Sequence, residues 1–388
     1  MAEPLANQPI VSAAVRHGAE GSGTLAVALR VQADGPVVLQ EPVSEGDLYE
    51  LYGEAWLGSC LRQGHPEAPL DELRVRLLPV LEKGNDTVCL GLIIEGAGPG
   101  GTVSRHVFPP AALDDVAWRA SQQLIRAGTL KSGDLYYFDV VVDRRPVAEL
   151  ASAAASARGA APFTVTAKPT PLAYLTVPLR PLVERAEFVA PPAKAAPGEE
   201  GDPWCPVFYT RETLGKAESF ARRGALFPHP VETGCVLVGP LCSCPETGEF
   251  FIVACEAIEL VEAQGTEYSL TYSGATWAHV QASVRALQAA PATRAHRILG
   301  QAHGHNFPPH FGEKKCDECD QQPTCTHTSV FSSVSDRRWS RAVFARQPWA
   351  VCHVFGLTAR GGHAQGLFGL RHGALAERGY YVIPDFAP

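Results

Sequence analysis

The sequence predicts two consecutive domains of α+β or mixed α/β class, and three observations lead to that expectation. The chain has 388 residues, too many for one ordinary core and about right for two at roughly 100–200 residues each. Short β-like runs alternate with segments of helical period in both halves. Between them Pro191–Pro203 carries four prolines among Ala, Gly and acidic residues, a composition that buries little and reads as a join. The first domain is then 1–186, the linker 187–204 and the second domain 205–388.

In the first half, Leu25–Val31, Val37–Leu39, Leu73–Leu81 and Thr87–Glu95 are β-like runs separated by turn residues. Asp114–Arg126 has the acidic start and apolar spacing of an amphipathic helix, and Asp134–Val142 reads as a further strand. Ala151–Ala161 fits a helix or a connector equally well. In the second half, Thr210–Arg223 reads as a helix, Cys235–Val238 and Phe250–Val261 as strands, and Gly274–Leu287 as a helix capped by Ser273. A buried strand follows at Ile298–Ala302, then a Cys/His-rich segment, a short helix from Ser333, and strands at Ala350–Leu357 and Gly366–Leu370. These elements make a mixed sheet with flanking helices.

Composition narrows the function classes. Hydrophobic residues are 46% and charged residues 19% of the chain, with no apolar run long enough to cross a bilayer. Met1–Glu20 has neither a basic leader nor a long hydrophobic segment, so no secretion signal is expected and the location is read as cytoplasmic. The net charge is −8, with the acidic excess in residues 1–204. Without a broad basic surface nucleic acid is not expected as a partner, nor is a membrane. Eleven cysteines in such a chain point to metal ligation and buried thiols in preference to a disulfide framework.

His303-Gly304-His305 follows directly on the apolar run Ile298–Ala302. Alternate strand residues point the same way, so two imidazoles on one face can grip one metal ion. A His-x-His pair alone is often no more than two exposed or hydrogen-bonded side chains. It gains meaning from Glu232, in the run Pro230–Gly239 upstream, and from Ser333-Val334-Ser335-Asp336 downstream. On their own, Glu232 reads as a solvated loop carboxylate and Ser333 as a helix cap.

With these three parts in this order, residues 205–388 resemble the JAB/MPN (JAMM) metallopeptidase family, whose pattern is Glu before a Gly-containing apolar strand, then His-x-His, then Ser-x-x-Asp. The resemblance implies a mixed sheet with cytidine-deaminase-like layering and a catalytic Zn2+. His303, His305 and Asp336 would be its three protein ligands, leaving one tetrahedral position open. Glu232 would be the proton acceptor and later donor, and Ser333 would stabilise the oxyanion. Ser332 and Ser335 are near alternatives if the register of that turn differs, but only Ser333 has the family's spacing to Asp336.

The chain departs from the family in the 27 residues between His305 and Ser333. This insert, 306–332, contains Cys316-Asp317-Glu318-Cys319 and Cys325-Thr326-His327. Three cysteines and a histidine with a close Cys-x-x-Cys pair suit a closed structural zinc, the expected source of folding energy for a segment with few apolar residues. His310 could replace His327, and Cys242 or Cys244 could contribute if the insert folds back. Cys235, Cys255 and Cys352 lie in apolar strands and read as core residues. Arg337, Arg338, Arg341 and Arg346 place a basic strip after Asp336, most simply a solvated face.

The family resemblance implies a peptidase or isopeptidase acting after the C-terminal tail of a ubiquitin-like protein, either removing conjugates or processing a precursor. An extended tail can pair with a strand edge. A domain ahead of a JAB domain resembles architectures linked to ubiquitin-like conjugation systems, which gives the first half an expected role in recognition. The alternative is a non-catalytic MPN-type scaffold subunit of a protein complex.

Overall fold

The computed structural model describes residues 14–16, 22–44, 46–48, 51–53, 74–82, 85–97, 103–131, 134, 136–143, 173–191, 205–267, 269–311, 314–315, 325–344, 347, 349–371 and 374–387. The fold is mixed α/β, with several sheets and few helices. The described residues fall into two packed units, one reaching 143 and the other beginning at 173. The division thus precedes the proline-rich stretch. Leu175–Thr176 and Glu187–Val189 are edge strands whose partners, Leu241–Ser243 and Tyr380–Ile383, lie in the second unit. Local composition marked the proline-rich break but carried no sign of those remote pairings. Residues 192–204, and the Ala-rich stretch 151–161, lie outside the described residues.

The first unit is a seven-stranded sheet with one long helix. Ser22–Arg30 pairs antiparallel with Leu39–Pro42 and with Tyr137–Asp143, so the last strand starts three residues later than its apolar pattern suggested. Asp114–Arg126 is helical and buries Val116, Ala117, Ala120 and Leu124. That is the apolar stripe the sequence spacing anticipated.

The second unit contains, in chain order, β1 (Leu175–Thr176), β2 (Glu187–Val189), β3 (Val207–Thr210), α1 (Arg211–Arg222), β4 (Gly234–Gly239), β5 (Leu241–Ser243), β6 (Phe250–Ala254), β7 (Glu256–Glu259), α2 (Gly274–Ala289), β8 (Arg297–Gly304), α3 (Val334–Phe344), β9 (Val351–Leu357), β10 (His363–Arg371), β11 (Ala374–Arg378) and β12 (Tyr380–Ile383). They form two six-stranded sheets, ordered β1-β5-β6-β3-β12-β2 and β7-β4-β8-β9-β10-β11. Both are mixed: β3 is parallel to β6 and β12, and β8 is parallel to β9 but antiparallel to β4.

The apolar run Phe250–Val261 is not one strand. It breaks at Cys255, whose N–H bonds to the Val238 carbonyl at 2.9 Å, so β6 stays in the first sheet while β7 joins β4 in the second. Thr210 and Ser273 cap α1 and α2 by accepting from Thr213 N and Thr276 N, which explains both helix starts. Val280 and Val284 of α2 pack on Val236, Val238 and Leu260. Each such side chain, fully buried, stabilises by about 1.5–3 kcal/mol. The helix α1 lies on β4 and β8 through Ala217 and Ala221, small residues that let its backbone approach the sheet. No described helix is long and apolar enough to cross a membrane.

Candidate metal centre

The strand β8 ends at Gly304, and the ladder continues one residue further, where His305 N–H bonds to the Phe355 carbonyl at 2.8 Å. His303 and His305 therefore share a face, and their Nε2 atoms come within 3.2 Å of each other. Gly304 between them leaves no room for a side chain: a Cβ there would stand 2.1 Å from the Ala221 carbonyl oxygen of α1. This close approach explains why the middle residue of the pair is glycine.

Asp336 comes from the first turn of α3, and its Oδ1 lies 3.3 Å from His303 Nε2. Ser333 sets its rotamer. The Ser333 hydroxyl and backbone N–H both donate to Asp336 Oδ2, at 2.7 and 2.8 Å, and Asp336 N–H donates back to Ser333 Oγ at 3.1 Å. This reciprocal cap satisfies the exposed donors of the helix start and aims Oδ1 at the histidines.

Glu232 precedes β4 and is clamped from several sides. Its N–H bonds to the Thr266 carbonyl at 2.8 Å. Thr233 Oγ1 donates to the Phe220 carbonyl at 2.8 Å, and Asn306 Nδ2 donates to the Ala221 and Val231 carbonyls at 3.0 and 2.9 Å. The carboxylate reaches the pair from the other side, Oε1 lying 3.6 Å from His305 Nε2. Glu232, His303, His305 and Asp336 are all buried.

The electrostatics follow from that burial. Desolvation pushes the Glu232 carboxyl up to about 7, with Asp336 adding to the rise and His303 opposing it. Desolvation acts against charge on Asp336 and His303 as well, but each stabilises the other, so Asp336 is held well below the usual carboxylate range and His303 is raised. His305 is pushed down to about 4, first by burial and then by His303. It presents a neutral ring, whose Nδ1–H donates to the Ser329 carbonyl at 2.7 Å and leaves the Nε2 lone pair facing inward.

These groups could hold a metal ion, and two of their spacings match those of a tetrahedral zinc. Zinc held at 2.0–2.1 Å by tetrahedral ligands separates neighbouring donor atoms by about 3.3 Å. The Nε2–Nε2 and Nε2–Oδ1 distances here are 3.2 and 3.3 Å. The Glu232 oxygen lies within 4.8 Å of both imidazole donors, close enough to face the same centre. Two imidazoles and a carboxylate are also borderline-hard donors that suit this ion.

Of the second predicted metal set, Cys316 and Cys319 lie outside the described residues, as does the side chain of His310. Cys325 is half-buried and His327 exposed. Cys242 and Cys244 pack with Phe208, Phe251, Val253 and Ile383 in the core of the first sheet. Arg337 is half-buried, while Arg346 and the side chains of Arg338 and Arg341 lie outside the described residues.

Sequence reasoning missed four contributors: Ser329, Asn306, Gln301 and Cys352. Gln301 left a readable signal, being a polar residue in an apolar strand two positions before His303 and hence on the same face. Cys352 left none, since it looks like any thiol in an apolar strand. In comparisons with known proteins, no family model and no curated protein matches the chain.

Proposed function

We propose that the second unit is a zinc-dependent amide hydrolase of the JAB/MPN type, cutting after the C-terminal tail of a ubiquitin-like protein in deconjugation or precursor processing. The observation that carries this reading is the approach to His303 Nε2 of both His305 Nε2, at 3.2 Å, and Asp336 Oδ1, at 3.3 Å, with the buried Glu232 carboxylate beside the two imidazoles. The order of the motif and the mixed sheet flanked by α1 and α2 support the same reading. Four such groups brought to one place weigh against a scaffold role, which needs none of them.

His303, His305 and Asp336 would hold the ion. A zinc bound there supplies Lewis acidity, which acidifies water and polarises a carbonyl. Glu232, with its carboxyl near 7, is matched to accepting a proton from the attacking water and returning it to the departing amine. Ser333 positions Asp336. Its single hydroxyl proton is given to Asp336 Oδ2, so donating to an oxyanion requires that bond to be exchanged. The rings of Phe331 and Phe307, centred 4.6 and 5.3 Å from the His305 ring, line the site, and Phe331 is exposed enough to meet a substrate.

The test is cleavage of a linear ubiquitin-like fusion by zinc-loaded protein. Glu232→Gln is expected to keep its zinc and lose roughly 100- to 10,000-fold in kcat, the usual contribution of a positioned base. Unchanged turnover in that variant would remove the reading.

A further inference from the structure

His303 has a second ring nitrogen, and its neighbour is Cys352 of β9, whose Sγ lies 3.9 Å from Nδ1. Gln301 and Cys352 stand opposite each other in the β8–β9 register, and Gln301 Nε2 donates to the same sulfur at 3.5 Å. The amide oxygen of Gln301 accepts from the Tyr272 hydroxyl. Tyr272 in turn stacks on Trp339 of α3, the ring centroids 4.7 Å apart at 23°. A continuous chain, half-buried at Trp339 and Tyr272 and buried at Gln301 and Cys352, therefore runs from the Asp336 helix to the back of His303.

The directions of these bonds are mutually consistent in one arrangement. A tyrosine hydroxyl donates to the amide oxygen and the amide N–H donates to sulfur; when Nε2 of His303 holds a metal, the proton is on Nδ1 and sulfur accepts from it, its own S–H turned away. That tautomer is the one that frees Nε2 as a lone-pair donor. Cys352 faces Nδ1, whereas Asp336 and His305 face Nε2; its Sγ also lies within 4.8 Å of an Asp336 oxygen, so direct ligation by sulfur is the competing arrangement that the cobalt measurement distinguishes.

We propose that Cys352, held by Gln301 and Tyr272, is a positioning residue that fixes the His303 ring and tautomer for metal binding without itself ligating the metal. This inference rests on the metal centre proposed above and deepens it. A ligating imidazole ordinarily rests on a carboxylate, a carbonyl or water, and loss of that outer partner costs about 10- to 100-fold in metal affinity. Here a thiol fills the place, in a buried strand position packed against Val354 and Phe368.

The experiment is chelator competition for zinc on full-length wild type, Cys352→Val, Cys352→Ser and Gln301→Leu, with the melting curve of each metal-free variant as a folding check. The expected result is an affinity loss of about 10-fold or more for Cys352→Val and for Gln301→Leu, with Cys352→Ser recovering most of it. Cobalt(II)-loaded wild type should show the visible bands of a tetrahedral site, and the sulfur-to-cobalt charge-transfer intensity expected from the Cys316 set should be unchanged in Cys352→Ser. Wild-type affinity in Cys352→Val, or charge-transfer intensity that Cys352→Ser lowers, would overturn the inference and leave the metal centre standing. A wild-type chain that binds no zinc would overturn both.

Discussion

Nδ1 of His305 lies 2.7 Å from the backbone carbonyl oxygen of Ser329, twenty-four residues away across the insert. Ser329 is itself pinned to the sheet: its Oγ accepts from Leu357 N–H at 2.8 Å and donates to the His305 carbonyl at 3.2 Å. The far end of the insert therefore closes back onto a predicted metal ligand and sets its tautomer. Ser329→Ala is expected to leave the part-buried Leu357 N–H without its partner, destabilising the metal-free protein by about 1 kcal/mol. It should also weaken zinc binding by about 10-fold through the loosened ring. Thermal melts in chelator and zinc competition check the two effects separately.

Gly304→Ala tests the approach of α1 to β8. A Cβ 2.1 Å from the Ala221 carbonyl oxygen forces backbone to move against backbone. The expected cost is about 1–3 kcal/mol or more, with zinc binding impaired because both flanking histidines shift. An unchanged melting temperature and zinc affinity would show that α1 can retreat freely.

Glu232 makes the stability of the metal-free protein depend on pH in a defined direction. Its carboxyl titrates near 4.5 when unfolded and is raised to about 7 when folded, so the folded state binds more protons between those values. The contribution is fully present below about 4.5 and is lost as the pH rises through 7, with an upper limit on the order of 3 kcal/mol. In chelator, the stability difference between wild type and Glu232→Gln should therefore move against wild type between pH 4.5 and 7. A difference that stays flat across that window would show that the carboxyl is not desolvated in solution.

Metal content checks the ligand sets. Purified wild type is expected to carry about two zinc ions, one for each four-coordinate set. His303→Ala should remove one and Cys316→Ser the other. If neither substitution changes the zinc count, both assignments are wrong.

Ser333→Ala separates positioning from chemistry. Losing the cap should cost about 1 kcal/mol and release Asp336 Oδ2, lowering zinc affinity even where no substrate is present. Unaltered affinity with a large fall in kcat would instead assign the hydroxyl to the reacting carbonyl.

Much of the second unit was legible because its signals are local. Caps at Thr210 and Ser273, the apolar period of α2 and the strand leading into His303 each depend on residues within one turn or one strand. The single strand expected at Phe250–Val261 was not legible as two. The first piece, Phe250–Ala254, is apolar and buried and the second, with Glu256 and Glu259, is half-buried, but the approach of Val238 decides where the chain changes sheets. Likewise, the composition of Pro191–Pro203 marked a break in the chain without revealing that β1 and β2, on its N-terminal side, belong to the sheet beyond it.

From its sequence alone this protein has a mixed α/β character, a strand that carries two imidazoles to one face, and the residue types of a candidate metal set in a recognisable order. Residue type and short-range spacing are sufficient for those conclusions, because side-chain direction repeats every second residue along a strand. Tertiary structure alone decided that Asp336 meets His303, that Glu232 is buried enough to titrate near 7, and that Cys352 stands behind a histidine while Cys242 is plain core. These depend on distances between residues remote in the chain. A buried thiol or carboxylate takes its chemistry from the neighbours that folding brings to it.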